Sequence, residues 1–415
     1  MTAGRERGAL TEKPAHKVFF FLVFAFCLFA YVHEVCRMAV FSHSGDFGNY
    51  YFYCKAARLG YPVYSLNEAA FASLGREFGM PQYVHPTFHA PSFFLAFNWI
   101  SFLDFRTAAL LWLLLNNLLV AASAAMLFKL AVRHIGGGAQ DKKFFIASSL
   151  VFIALFQPLF EGLFLGQISV FVLFFLCLGL YLLDKDRHYA AGIMFALGLM
   201  IKPHLLLILL FFPWKRCWRV FFSAVAALGI IETLSILSWP ALELRYWTVE
   251  APSYFAHRAI ILASPDNYSF PALVHRMAAF PVLQRPALVF SWLCSLGLLL
   301  FILRRTRGRF TGVNRRFLLD FSLFLMAPLV VFMLTHEHHY ILLLIPLVFA
   351  WAALQKEYRY GGLFIAAFLL LGSRYNLIQF PAFSQGPAAL FTGLKLSGLL
   401  ILLFLTFRLQ GRGHA

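Results

Sequence analysis

The run TAALLWLLLNNLLVAASAAMLFKLAV at residues 107–132 decides the fold class, because it is apolar almost throughout and long enough to cross a bilayer. Its one charged side chain, Lys129, lies near its end, and the basic residues Arg133, Lys142 and Lys143 follow. An apolar segment that ends in positive charge is typical of a transmembrane helix whose basic end lies in the cytoplasm. The run therefore predicts a membrane protein.

The composition of the whole chain supports this interpretation. Of its 415 residues 61% are hydrophobic and only 13% are charged, so one core could not hide the apolar surface. Further apolar runs predict an all-α polytopic protein with about ten to twelve transmembrane helices. These runs are residues 18–41, 144–160, 167–183, 220–238, 288–303, 317–335, 340–354, 360–373 and 388–407.

The formal net charge of +17 follows mainly from topology. Basic residues concentrate at the N-terminus and at every second connection, which places the N-terminus in the cytoplasm of a multi-pass plasma-membrane protein. The longest outward-facing loops are then 42–106 and 239–287. The charge attracts anionic membrane lipids and is poor grounds for expecting nucleic acid as a partner.

Two apolar segments do not fit a simple alternation of crossings. Residues 86–103 must stay on the outer side, which predicts interfacial helices in the first outward loop. Residues 189–213 are flanked by cytoplasmic charges yet are too short for two crossings. We expect a re-entrant or broken pair of short helices there, turning at Lys202-Pro203-His204, because irregular backbone inside a membrane needs a protein or polar-cavity environment.

Asp46 is the first carboxylate after the first span, in the run Ser44-Gly45-Asp46-Phe47-Gly48-Asn49-Tyr50-Tyr51. A lone acid there is a candidate catalytic base. The alternative is an N-cap of the next helix, since Asp is a favoured N-cap residue.

Lys202 is embedded in apolar sequence, where an unpaired ammonium is costly. Its partner is expected to be a ligand phosphate, or alternatively Glu161 or a backbone carbonyl. Glu161 opens the short polar turn Glu161-Gly162-Leu163-Phe164-Leu165-Gly166-Gln167-Ile168-Ser169, whose glycines allow a tight reversal between spans.

A third polar turn, Thr335-His336-Glu337-His338-His339-Tyr340, joins two spans. It could bind metal, phosphate or substrate, or simply cap two helix ends at the interface. A helical zinc motif requires a second histidine four residues after the first, and Tyr340 occupies that place, so we predict no metal. Six scattered cysteines predict neither a disulfide framework nor a zinc site. For His85 to His89, and for Tyr254 to Arg258, we favour interfacial anchoring.

Taken in order, these motifs resemble glycosyltransferase family 87, a group of GT-C membrane enzymes that includes polyprenyl-phosphomannose-dependent α-mannosyltransferases. The resemblance rests on the Asp46 run, Gly60-Tyr61-Pro62-Val63-Tyr64, Gly166-Gln167-Ile168-Ser169, Ala191-Gly192 leading to Lys202-Pro203, and the histidine turn ending at Tyr340.

The resemblance implies a single membrane-embedded GT-C domain spanning 1–415. Its activity would be transfer of a sugar, with mannose favoured over arabinose, from a polyprenyl-phosphate carrier to a lipid-linked or envelope-glycan acceptor on the non-cytoplasmic face, without a cofactor. Asp46 would be the general base. The donor phosphate would be bound by Lys202, Arg258 and His336, and the substrates by Tyr50, Tyr51, Gln167, His338 and His339.

Two other classes stay open from the residues alone. A transporter or flippase of a lipid-linked glycan would use Lys202 and the broken helices as a site in the middle of the membrane. A membrane acyltransferase or ligase would take its base from the histidine turn.

Overall fold

The computed structural model describes residues 14–41, 45–80, 89–135, 139–278, 280–355, 357–374 and 380–411. His85 lies outside the described residues. Within them the regular structure is entirely helical. The α-helices of the first part of the chain are α1 (Pro14–Phe41), α2 (Gly45–Arg58), α3 (Glu68–Glu77), α4 (Ser92–Phe97), α5 (Phe105–His134), α6 (Ala139–Ala154) and α7 (Gln157–Leu165).

The rest of the chain continues in the same way, with short helices between longer ones. The middle part holds α8 (Ser169–Asp184), α9 (His188–Ile201), α10 (Phe211–Trp214), α11 (Trp218–Ser238), α12 (Pro240–Arg245), α13 (Ala251–Ala256), α14 (Arg258–Ala263) and α15 (Phe270–Met277). The last part holds α16 (Pro281–Arg305), α17 (Arg315–Val331), α18 (Leu344–Leu354), α19 (Gly361–Gly372), α20 (Ala389–Thr392) and α21 (Leu394–Gln410).

Tighter and wider helical turns connect several of these elements. The 3₁₀ segments are Val63–Ser65, Asn98–Phe102, Pro203–Leu210, Glu337–Leu343, Tyr358–Tyr360 and Pro381–Phe383, and Tyr246–Glu250 is a π-helical turn. Within residues 42–106, which are predicted to form the first outward loop, the structure has the short helices α2, α3 and α4.

By length and composition, five of the described helices could cross a membrane, or six if the bent pair α6 and α7 is one span. The five segments are Phe21–Val40, Phe105–His134, Trp218–Ser238, Val282–Arg305 and Glu337–Leu354. Other apolar runs predicted from sequence form helices of 10–17 residues, among them Ser169–Asp184 and Gly361–Gly372. The all-α polytopic class is confirmed, with several helices shorter than a full crossing.

Burial separates a core from a lipid-facing layer. Every residue from Phe317 to Val330 of α17 is buried, and α18 is buried along most of its length. In contrast, α1, α11 and α16 expose large apolar side chains such as Phe26, Phe222 and Trp292. Because water would not tolerate so much exposed apolar surface, these outer helices face hydrocarbon.

Prolines break the chain at two places that matter for the site. Pro158 lies in the first turn of α7, and α6 and α7 meet there at an angle of 52°. Pro203 follows Lys202, which leaves the helical conformation with φ −131° and ψ 85°. A proline disfavours the helical conformation in the residue before it, which explains why α9 ends at Ile201. The break predicted at Lys202 is confirmed.

Helices α9 and α11 pack closely because Gly192 has no side chain. A Cβ atom on Gly192 would lie 1.8 Å from Ser223 Oγ and 2.5 Å from the carbonyl oxygen of Val220. The second of these atoms belongs to the backbone and cannot rotate away. Any larger residue at this position must therefore push the two helices apart.

We expect Gly192→Ala to destabilise the protein by about 1–3 kcal/mol, as overpacked interfaces do. The measurement is the melting temperature of the detergent-solubilised protein. Gly229→Ala is the matched control, because Gly229 lies on α11 and a Cβ atom added there would have no described atom within 4 Å. Equal melting temperatures for the two variants would contradict the close packing.

Candidate active site

The start of α2 and the end of α7 approach each other more closely than side chains would permit. Gly45 has φ +65°, and a Cβ atom there would lie 2.9 Å from the backbone of Leu165. Gly166 has φ +64°, and its Cβ would lie 2.5 Å from Phe47 Cβ. Both positions need glycine, because the backbone is in the left-handed region and because there is no space for a Cβ atom. The carbonyl of Gly166 accepts a 2.8 Å hydrogen bond from Trp112 Nε1, which fixes the turn against α5.

This approach brings Asp46, Gln167 and Tyr50 together. The side-chain amide of Gln167 donates a hydrogen bond to Asp46 Oδ2, and the hydroxyl of Tyr50 donates to Gln167 Oε1 at 3.2 Å. Gln167 is buried, whereas Asp46 is partly exposed. Asp46 lies in the first turn of α2, where the helix dipole favours a negative charge. The Gln167 amide therefore holds one carboxylate oxygen of Asp46 in a defined place.

Lys202 joins the same group of side chains from the break after α9. It is 7% exposed, and its Nζ donates a 2.7 Å hydrogen bond to Ser169 Oγ at the start of α8. Its ammonium also interacts electrostatically with Asp46. Neither Glu161 nor a backbone carbonyl is its hydrogen-bond partner among the described residues. The only hydrogen-bond partner it has there is a neutral hydroxyl.

His89 is a member of this group that the sequence interpretation underestimated. Its ring stacks on Phe93 with centroids 4.5 Å apart and meets the edge of Tyr50 at 5.1 Å. Burial, and secondarily the charge of Lys202, lower the pKa of His89 to about 4. His89 is therefore neutral near pH 7. Its position two residues before Pro91 gave no signal in the sequence that it would lie beside Tyr50, near Asp46 and Gln167.

The histidine turn forms a second polar group. The backbone N–H of His336 donates to His339 Nδ1 at 3.1 Å, and the rings of His338 and His339 meet edge to face with centroids 4.4 Å apart. Nδ1 of His336 lies 3.3 Å from Asp266 Oδ2. Burial alone would raise the pKa of the Asp266 carboxyl, but His336 and the Ser264 hydroxyl lower it well below its usual range.

Through hydrogen bonds of its side chain, Asn267 connects the 264–269 segment to the chain at the start of the histidine turn, residues 335–340. Its side chain is fully buried, and its Nδ2 donates to the carbonyls of Met333 at 2.6 Å and Ile261 at 3.0 Å. Its Oδ1 accepts from the backbone N–H groups of Thr335 at 3.0 Å and Ser269 at 3.1 Å. One amide side chain thus satisfies four backbone groups and fixes the distance between Asp266 and His336.

Glu161 lies between the two groups. Its carboxylate interacts electrostatically with Glu337, Arg374, Lys395 and, more weakly, Asp46. Glu337 itself forms an ion pair with the fully buried Lys395, with Nζ and Oε1 3.0 Å apart. The sequence interpretation missed Lys395, although a lysine inside the apolar run 388–407 is a recognisable signal of a buried partner.

Two of the predicted site residues lie elsewhere. Tyr51 is buried, but its hydroxyl donates to the Leu103 carbonyl at 2.9 Å and accepts from Lys55 Nζ at 2.8 Å, so it serves the packing of α2 instead. Arg258 is exposed at the start of α14, and within the described ranges no hydrogen bond or ion pair joins it to either polar group. The described residues also contain no cluster of three or more His, Cys, Asp or Glu suited to a metal ion.

The close approach of α2 and α7 predicts a specific effect of Gly166→Ala. We expect the activity of this site to fall at least about tenfold, because displacement of Phe47 moves Asp46 away from Gln167. The measurement is the turnover rate together with the melting temperature. Gly60→Ala is the control for backbone strain alone, since Gly60 has φ +81° and open space around it. A similar loss in Gly60→Ala would contradict the role of close approach.

Comparison with known proteins gives one match. The model of glycosyltransferase family 87 matches residues 88–335, which include Gln167, Lys202 and Asp266 and end next to His336. No curated protein and no solved structure matches the chain. The matched region covers more than half of the sequence, whereas Asp46 and Tyr50 lie before it and His336, His338 and His339 lie after it. The chain belongs to glycosyltransferase family 87.

Proposed function

We propose that this glycosyltransferase moves a sugar, with mannose the first choice, from a polyprenyl-phosphate carrier to a lipid-linked or envelope-glycan acceptor. The reaction takes place on the non-cytoplasmic face of the plasma membrane. The observation that carries the proposal is the grouping of Asp46, Gln167 and Lys202: a carboxylate held by an amide, beside a buried cation. Family membership favours glycosyl transfer over the transporter and acyltransferase alternatives.

The reaction needs one proton acceptor and one anion stabiliser. A hydroxyl oxygen of the acceptor attacks the anomeric carbon, and the bond from that carbon to the carrier phosphate breaks. The hydroxyl proton passes to Asp46. The bonding electrons leave with the polyprenyl phosphate, whose negative charge increases from one to two. Attack and departure on opposite sides of the carbon invert its configuration.

The surroundings of Asp46 suit a general base. Gln167 donates to Oδ2, so the carboxylate is held in one orientation. Tyr50 in turn fixes Gln167, because its hydroxyl bonds to the amide oxygen. An amide held at both ends cannot rotate without losing a hydrogen bond. This arrangement keeps the base in place between turnovers.

Lys202 is suited to stabilising the negative charge that develops on the departing phosphate. Its ammonium is buried, has a hydroxyl rather than a carboxylate as its hydrogen-bond partner, and lies near the base. A cation in such a setting stabilises developing negative charge more than it would in water, because few water molecules screen it. His336 and its neighbours His338 and His339 offer further donors from the second polar group.

Asp46→Asn should abolish transfer, with a rate loss of at least about 100-fold, because the amide cannot accept the hydroxyl proton. The assay uses the full-length protein in lipid nanodiscs with radiolabelled polyprenyl-phosphomannose and an envelope lipid extract. Asp104→Asn is the control: Asp104 is an exposed carboxylate that caps α5, and asparagine caps equally well. Near-normal turnover by Asp46→Asn would place the base elsewhere.

Lys202→Met should raise the KM for the polyprenyl-phosphate donor about tenfold or more, because a charge-assisted hydrogen bond to phosphate is lost. The KM for the acceptor should stay within about twofold. Lys55→Met serves as the control, since Lys55 bonds to Tyr51 on the side of α2 that faces α5. A donor KM that does not change in Lys202→Met would remove this residue from the donor site.

A further inference from the structure

Arg276 has an unusual environment for an arginine. It lies in the last turn of α15 and is only 2% exposed. Its Nη1 donates a 2.9 Å hydrogen bond to the Ser264 carbonyl, whereas its Nε and Nη2 have no hydrogen-bond partner in the part of the chain that the structure describes. Buried donors without partners are costly, and the cost is larger for a charged group.

The two nitrogen atoms without partners share one edge of the guanidinium. Nε–H and an N–H of Nη2 point in nearly parallel directions from that edge, as a pair. Such an edge matches two oxygen atoms of a phosphate or a carboxylate, and arginine commonly binds these groups in this two-pronged way. Within the described residues, Arg276 therefore presents an edge with two donors and no partner, which suits an anion better than a single donor would.

A chain of polar contacts connects this arginine to His336. Ser264 accepts the Nη1 bond through its carbonyl, and its hydroxyl donates to Asp266. Asp266 Oδ2 in turn lies 3.3 Å from Nδ1 of His336. Since Nδ1 faces Asp266, the other ring nitrogen of His336 is the one that can meet a ligand. Arg276 and His336 thus belong to one connected group of side chains.

Nearby carboxylates already have other partners. Asp266 is engaged by Ser264 and His336, and Glu337 by Lys395. Arg276 interacts with Asp266 and Tyr268 electrostatically, but no hydrogen bond joins it to either one among the described residues. These acids therefore do not satisfy the Nε and Nη2 donors of Arg276.

We propose that Arg276, together with His336, binds the phosphate group of a lipid-linked substrate. The proposal rests on the proposed glycosyl transfer and deepens it, and it replaces Arg258 by Arg276 as the arginine of the site. The phosphate belongs either to the polyprenyl carrier or to a phosphate-bearing acceptor lipid. The chemistry of recognition is the same for both, so the experiment separates them.

The test measures binding rather than turnover. Full-length Asp46→Asn protein in nanodiscs is titrated with polyprenyl monophosphate, and in a second arm with phosphatidylglycerol as a phosphodiester lipid without an isoprenoid chain. Arg276→Met should weaken binding about tenfold or more in one arm, and the affected arm identifies the source of the phosphate. Arg285→Met is the matched control, because Arg285 is an exposed arginine near the start of α16, and it should leave both dissociation constants unchanged.

A second variant distinguishes a loss of phosphate binding from misfolding of the protein. Arg276→Lys keeps the charge but loses the two-pronged edge, so it should bind more weakly than the Asp46→Asn parent at an unchanged melting temperature. If polyprenyl monophosphate binds and neither Arg276 variant weakens binding in either arm, Arg276 is structural and this inference is overturned while the proposed function stands. If polyprenyl monophosphate does not bind even to the parent, the carrier in the proposed function is wrong.

Discussion

The site depends on a contact between two backbone segments that only glycine can make. Gly45 faces the backbone of Leu165, and Gly166 faces Phe47, each at a distance that excludes a Cβ atom. The residues that follow Gly166 then point into the site: Gln167 reaches Asp46 and Ser169 reaches Lys202. A single tight turn therefore sets the relative positions of the proposed base Asp46 and the buried cation Lys202, although they are far apart in sequence.

Three buried lysines show how the protein compensates charge inside an apolar environment. Lys215 pairs with Asp320, and Lys395 pairs with Glu337, so each of these ammonium groups has a full counter-charge in contact. Lys202 instead has the hydroxyl of Ser169, with Asp46 acting on it electrostatically. Buried charges are costly without partners. The difference marks Lys202 as the lysine to which a ligand anion would add most.

The sequence predicted the helical segments well, because hydrophobic runs and prolines act locally. The break at Lys202 follows from Pro203 alone, and the nearness of Asp46 to Gln167 was implied only by the family resemblance. Tyr50 and Tyr51 could not be told apart, since neighbours on a helix point about 100° from each other and spacing does not say which faces the site. Arg276 was not selected because its burial arises from contacts between segments distant along the chain, whereas Lys395 was missed despite its place inside an apolar run.

Asn267 has a consequence for how substrates reach the site. Its amide bonds to four backbone groups, two of them in the 333–335 stretch. Moving the 264–269 segment away from the 333–335 stretch would break the bonds to Met333 and Thr335 and leave buried backbone groups without partners, which is energetically costly. If the proposed lipid-linked donor is the substrate, it must reach the site without displacing this segment.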